Sequence, residues 1–282
     1  MNGDGRALGG AANAMAGAVV LLVSVLVASG VVAPAAWAGT PTGEFARFAQ
    51  CPRFRVGVNL CVYAETFGGE VSIGRRTVQI ERPLVIQGGI VKNERTNAET
   101  FVGALNGATL SRVPQKVPGG LLGQPLYVSL ELIPPADELI VSLADLENRQ
   151  GAAFVLPARM HLEGSRLGGE CYVGSITGPI VLHLTSGTTH PGPPNTPISG
   201  KVGRIGAKDD FELLEIVGNS LVDNTFSAPV ATGCGGATLA PLVDPLVDRE
   251  LGLPSADGHN TIIESNTVWA ATTVGVIASE GK

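Results

Sequence analysis

Apolar and polar residues alternate one for one along several stretches of this chain, and that period is what most restricts how it can fold. Leu126, Val128, Leu130 and Leu132 alternate with Tyr127, Ser129 and Glu131, and Phe154, Leu156, Ala158, Met160 and Leu162 alternate with neighbours that include Arg159 and His161. Ile180, Leu182 and Leu184 interleave in the same way with Val181, His183 and Thr185. Successive side chains of an extended strand point to opposite faces, so each stretch reads as a strand with one buried face. Shorter strand candidates are Glu70 to Ile73, Thr77 to Ile80 and Leu84 to Gln87, joined by the turn-like Gly74-Arg75-Arg76 and Glu81-Arg82-Pro83. Glu212 to Val217 and Thr267 to Ile277 complete the set. With 38 Gly, 19 Pro and 16% charged residues, the composition suits short strands with tight turns, and an apolar content of 44% can support a core. The expected fold is mainly β, an antiparallel β-sandwich or related Greek-key architecture with one or two short helices.

One segment has helical rather than strand spacing. From Leu239 the apolar residues fall at Leu242, Val243, Leu246, Val247 and Leu251, which predicts that Asp244, Asp248 and Arg249 turn outward. Thr238 and Pro241 suit its start, and Gly252 followed by Pro254 suits its stop. Pro245 cannot donate a helical hydrogen bond, so a kink or two short turns are expected there. Residues 137 to 149 form a second helical candidate.

The N-terminus carries a different signal. Arg6 precedes an apolar run from Met15 through Val32, which ends at Pro34 and the small-residue triplet Ala36-Trp37-Ala38. That order predicts a signal peptide over residues 1–38, cut between Ala38 and Gly39. An uncleaved anchor is the alternative, since Gly17 to Ala36 nearly reaches the ~20 residues a bilayer needs, but Gly30 and Pro34 weaken the end of that helix. After Gly39 no eighteen consecutive residues are apolar, so stable membrane insertion is not expected once the signal is cut. The first cysteine, Cys51, lies too far on to accept a lipid, and no Leu-Pro-x-Thr-Gly sorting pattern is present. The expected location is therefore extracellular, secreted and either released or loosely associated with the cell surface. Residues 39–282 form one β-rich domain or two packed β units divided near 187–200, where His190-Pro191-Gly192-Pro193-Pro194-Asn195-Thr196-Pro197 is the clearest loop signal.

Four cysteines, Cys51, Cys61, Cys171 and Cys234, follow the cleavage site. An even number in an exported chain predicts two disulfides, for which three pairings exist. Cys51 with Cys61 and Cys171 with Cys234 is the favoured set, because the first two are close in sequence and the others share Gly-flanked settings. The alternation of Phe54, Val56, Val58, Leu60 and Val62 opposes the first pair, since an extended chain would hold Cys51 and Cys61 roughly 33 Å apart against the ~6 Å of a disulfide. A bend near Gly57 to Asn59, with the strand starting around Leu60, reconciles the two. Spacings of 10, 110 and 63 lack the clustering of a metal site.

The strings Cys171-Tyr172-Val173-Gly174-Ser175, Pro179-Ile180-Val181-Leu182-His183-Leu184-Thr185-Ser186-Gly187-Thr188-Thr189, Gly233-Cys234-Gly235-Gly236 and Leu251-Gly252-Leu253-Pro254-Ser255 resemble an uncharacterised group of actinobacterial secreted proteins. The resemblance implies export and the pairing of Cys171 with Cys234, and it carries no functional residue.

A net charge of −6 with scattered basic residues gives no electrostatic footprint for nucleic acid. His161 and His183 fall on the polar parity of their strands and read as exposed, although on neighbouring strands they could meet and hold a metal ion weakly. His190 and His259 sit in loops. Gly218-Asn219-Ser220-Leu221-Val222 lacks the second glycine of a nucleophile elbow, and Asp257 with His259 has no evident nucleophile. Asp209-Asp210 reads as a turn, and Gly200, Gly203 and Gly206 as a glycine-rich strand or bulge. No catalytic, cofactor-binding or metal-binding residue emerges, and no cofactor is expected. The expected function is a secreted, non-enzymatic structural or ligand-binding β module. The alternative is a secreted hydrolase acting on cell-wall, polysaccharide or ester substrates. A cleft holding a carboxylate or histidine of perturbed pKa would favour the enzyme, and a smooth sandwich the module.

Overall fold

The computed structural model describes residues 39–281 apart from 93, 94, 96–98, 134–138 and 211. The expected signal segment, with Ala38, lies outside the described residues, and Gly39 is the first inside them. A 3-10 helix (Gly43–Phe48) leads into β1 (Val58–Ile73), β2 (Arg76–Gln79), β3 (Leu84–Lys92), β4 (Glu99–Gly103), β5 (Gln115–Leu121), β6 (Gln124–Leu132) and β7 (Ile140–Val141). Then come α1 (Leu143–Asn148), β8 (Phe154–Glu163), β9 (Tyr172–Val173), β10 (Ile180–Leu184), β11 (Arg204–Lys208), β12 (Leu213–Asp223) and β13 (Ala231–Thr232). The chain closes with α2 (Gly236–Leu251), β14 (Thr261–Thr272) and α3 (Thr273–Ala278).

These strands form an antiparallel β-sandwich of two sheets. The first sheet has the order β11-β12-β14-β1-β3-β4, with β2 also paired to β1, and the second has the order β13-β9-β8-β6-β5, with β7 and β10 paired to β8. The main core lies between them: Phe154, Leu156 and Leu162 of β8 face Val62, Ile216, Ile262 and Val268 of the first sheet. Residues 187–200 carry the chain from β10 in one sheet to β11 in the other. Asn195 in that stretch donates to the Asn224 and Asn260 carbonyls.

Two strands that the sequence shows only in part are long strands interrupted by bulges. Between Thr66 and Gly68 the register of β1 against β14 slips by one, so Phe67 is an extra residue. The inward set changes there from Val62, Ala64 and Thr66 to Val71 and Ile73. In β12 the slip falls between Val217 and Asn219, and the extra residue is Gly218, whose φ of +76° suits a residue without Cβ. Both bulges flank Asn266 of β14.

Several expected boundaries are corrected. The chain turns between Cys51 and Gly57, so β1 starts at Val58 rather than Leu60, and Phe54 and Val56 are exposed instead of lying on a strand face. Thr267 to Ile277 divides into the end of β14 and the helix α3, and β14 begins earlier, at Thr261. Only Leu143–Asn148 of the 137–149 pattern is helical among the described residues. The helix α2 is continuous through Pro241 and Pro245; Val243, Val247 and Leu251 pack on the main core and Arg249 is exposed as expected, but the rest of the expected face is rotated. Asp244 faces inward and accepts from the Gly233 and Cys234 amides, Asp248 accepts from the Ala231 amide, and Leu239, Leu242 and Leu246 are exposed. Three backbone N–H groups that would otherwise lack acceptors draw Asp244 and Asp248 inward beside Val243 and Val247.

Both disulfides join the expected cysteines. Cys171 and Cys234, with Cα atoms 4.1 Å apart, are buried in the main core and tie the start of α2 to β9. Cys51 and Cys61, 5.5 Å apart, belong to a second core on the outer face of the first sheet, with Phe45, Phe48, Leu213, Ala271 and Val276. There Arg53 pairs with Glu280 and donates to the Gly39 carbonyl, while the Thr42 hydroxyl donates to the Ser279 carbonyl. The residues after Gly39 are thereby tied to the C-terminal helix.

Candidate functional site: an apolar cavity between the sheets

The inner faces of the two sheets do not close on each other along their whole length. Where β1 and β2 face β6 and β8, a cavity of about 130 Å³ remains, with Leu251 and Leu253 at the end of α2 contributing to its wall. Val71, Ile73, Val78, Ile86, Val128, Leu130 and Met160 point into this space and are only partly buried, although all occupy core positions of their strands. Protein interiors normally leave few voids larger than a water molecule, so a space of this size is a specific feature of the fold.

The wall has one carboxylate. Glu264 shares the inward parity of β14 with Ile262, Asn266, Val268 and Ala270. Its neighbours are products of the two bulges: Asn266 donates from Nδ2 to Glu264 Oε1 at 2.9 Å, and the Thr66 hydroxyl donates to Oε2 at 3.2 Å. Behind them Asn219 donates from Nδ2 to Asn266 Oδ1 at 3.0 Å and accepts the Gly203 amide at 2.8 Å. A polar rung therefore crosses the first sheet from Gly203 to Thr66. The residue of β1 opposite Glu264 is Gly69, at φ +132°, where a Cβ would strike the Ile263 carbonyl. Burial pushes the Glu264 carboxyl up to about 7, against the opposing effect of its hydrogen bonds from Asn266 and Thr66. No Lys, Arg or His among the described residues forms an ion pair with it.

Two other polar residues line the space. Gln115 is fully occupied, accepting from the Glu81 and Arg82 amides and donating to the Arg82 and Val113 carbonyls. Arg76 is not: its Nη1 is 3.5 Å from the Pro118 carbonyl, its Nη2 is 3.8 Å from Glu250, and its buried Nε has no hydrogen-bond partner.

The residues singled out in the sequence lie elsewhere. Ala158 of β8 pairs with Ile180 and Val155 with His183, so His161 and His183 are separated by six residues along β8, roughly 20 Å, and do not meet. His161 instead donates from Nε2 to the Gly169 carbonyl and stacks on Tyr172. On the same outer face Glu131 is buried between Arg112 at 3.1 Å and Arg159 at 3.0 Å, with Arg159 over the Tyr172 ring, a network whose groups satisfy one another. Gly218 and Ser220 belong to the bulged middle of β12, not to a strand–helix elbow. Asp257, His259 and His190 are exposed in loops, and Asp209-Asp210 forms the turn between β11 and β12.

Glu264 carried a signal in the sequence. It and Asn266 are polar residues on the apolar parity of Ile262, Val268 and Ala270, visible only once β14 is taken to start at Thr261.

No protein-family model matches the chain, and no match was found among curated proteins or solved structures.

Proposed function

We propose that this is an exported, non-enzymatic binding module whose inter-sheet cavity holds a small apolar ligand. The observation that carries the reading is the cavity itself: seven aliphatic core positions left partly open around one buried carboxyl. Apolar pockets with a few convergent polar groups are where small molecules bind, and an apolar space of about 150 Å³ is large enough for benzene. Two disulfides are compatible with the extracellular location that residues 1–38 predict, and no helix among the described residues is long and apolar enough to cross a membrane.

Methyl-resolved NMR tests the reading without altering the protein. Titration with benzene should shift the methyls of Val128, Leu130 and Met160 saturably and leave those of Val268 and Leu146 in place. Absence of saturable shifts at the cavity methyls would refute it.

The raised Glu264 carboxyl is the one observation that favours the hydrolase alternative, because a general acid works best with a pKa near the working pH. Hydrolysis needs a second group, and the hydrogen-bonding neighbours of Glu264 are Thr66 and Asn266, neither a carboxylate nor a base. Binding is therefore the better account. Turnover of ester or glycoside substrates that disappears in Glu264→Gln would reverse that preference.

A further inference from the structure

We infer that the cavity takes a small amphiphile ending in a carboxylate, with the head on Arg76 and an apolar body of which about six carbons are buried between the sheets. The inference rests on the binding reading above and adds the chemical class.

Arg76 stands opposite Ile73 at the β1–β2 turn, in the row that continues with Val78, so its stem runs along the apolar wall. Its side chain retains 28% exposure, which places the guanidinium at the rim. A guanidinium keeps its charge at every accessible pH and presents N–H groups in a planar fork that matches a carboxylate. This one has two long contacts and a buried Nε without an acceptor. The two Nη groups are held only at these long distances, and a ligand anion at the rim would give them the short, charge-assisted hydrogen bonds the fold does not.

The surroundings point the same way. Arg75 and Arg249, the chain neighbours of Arg76 and Glu250, are joined by a hydrogen bond from Arg75 to the Arg249 carbonyl, while Glu250 is the opposing charge and is 40% exposed. Glu264 lies deeper: it is opposite Gly69, four residues or roughly 13 Å along β1 from the residue that faces Arg76. Glu264 can shed its charge by taking a proton, whereas Arg76 cannot. The permanent charge in contact with the cavity is therefore positive. A cationic head would meet Arg76 at the rim, and a phosphate would leave oxygens without donors on a single guanidinium. The buried length follows from volume, since a space of about 150 Å³ takes the six carbons of benzene and this one is about 130 Å³.

Calorimetric titration of the full mature protein with octanoate, 1-octanol and octylamine separates the possibilities. Octanoate should bind at least about tenfold more tightly than octanol, and Arg76→Gln should remove that advantage while leaving octanol affinity within about twofold. Arg76→Gln alters a partly exposed side chain, and its thermal melt should match the parent. Equal affinity for octanoate and octanol in the parent protein would overturn the carboxylate assignment and leave the cavity reading standing. Failure of all three to bind would overturn both. Tightest binding of octylamine, lost in Glu264→Gln, would overturn the assignment in favour of a cationic ligand on the deeper carboxyl.

Discussion

Along the inner face of the first sheet, two stretches of similar aliphatic content end in different packing. On one side of the polar rung Val62, Ala64, Ile216, Val268 and Ala270 are almost fully buried, whereas on the other side Val71 and Ile73 remain partly open to the cavity. β1 runs through both stretches and its side chains there are of the same kind, while Ile262 of β14, opposite Val71, is covered to 5% exposure. What differs is the opposite wall. On the closed side β7, α1 and Phe154 supply Val141, Leu146 and an aromatic ring, all at 2% exposure or less. On the open side Val128, Leu130 and Met160 face a sheet whose inward set has been displaced by the Phe67 bulge. Burial is a property of the pair of facing layers, not of a strand's own pattern.

The widest separation between the two sides should come from deleting side chains. Leu146→Ala, in the closed region, should cost about 3–5 kcal/mol, and Leu130→Ala about 1–2 kcal/mol because part of that side chain already lacks neighbours. Urea unfolding of both variants checks this, and equal losses would mean that the cavity is closed in solution.

The disulfides extend the comparison from the main core to the outer one. The chain-entropy estimate is about 4 kcal/mol for Cys171–Cys234, whose separation is 63 residues, and about 3 kcal/mol for Cys51–Cys61, separated by 10. Thermal melts of the Cys171→Ser/Cys234→Ser and Cys51→Ser/Cys61→Ser double variants should rank in that order. Because Cys51 and Cys61 are themselves buried with Phe45 and Phe48, the gap should be narrow, and a reversed order would make the outer core the more cooperative part.

Glu264 gives the comparison a pH dependence. Its folded value of about 7 lies above the ordinary 4.5, so the native state binds the proton more tightly than the unfolded chain. Its contribution is fully present below about pH 4.5 and is lost as pH rises through about 7, an effect of up to roughly 3 kcal/mol. Glu264→Gln should therefore be more stable than the parent at pH 8 and nearly equal to it at pH 4. Denaturant midpoints measured across that window provide the check. A constant difference would show that Glu264 is not desolvated.

Much of the second sheet was legible in the sequence because β6, β8 and β10 alternate without interruption. The first sheet was less so. Phe67 and Gly218 each insert one residue and reverse the parity that follows, which divided β1 into apparent fragments and ended β12 six residues early, at Val217. The face of α2 was legible only in part: Val243, Val247 and Leu251 pack inward as their spacing indicates, but Asp244 and Asp248 join them because they serve backbone amides of residues 231–234, partners that a helical period does not show. The cavity had no signature at all: Val128 and Leu130 alternate like any core strand, and emptiness depends on the volumes of both layers together.

Enlarging one side chain on each side tests that central difference most directly. Val128→Leu places an extra methylene in the cavity, and Val268→Leu places the same methylene where the parent residue is 1% exposed. Backbone preference changes equally in the two, so packing decides the outcome. Urea midpoints should show Val128→Leu unchanged or more stable by up to about 1 kcal/mol, and Val268→Leu less stable by about 1–3 kcal/mol. Matching losses in both variants would contradict the account.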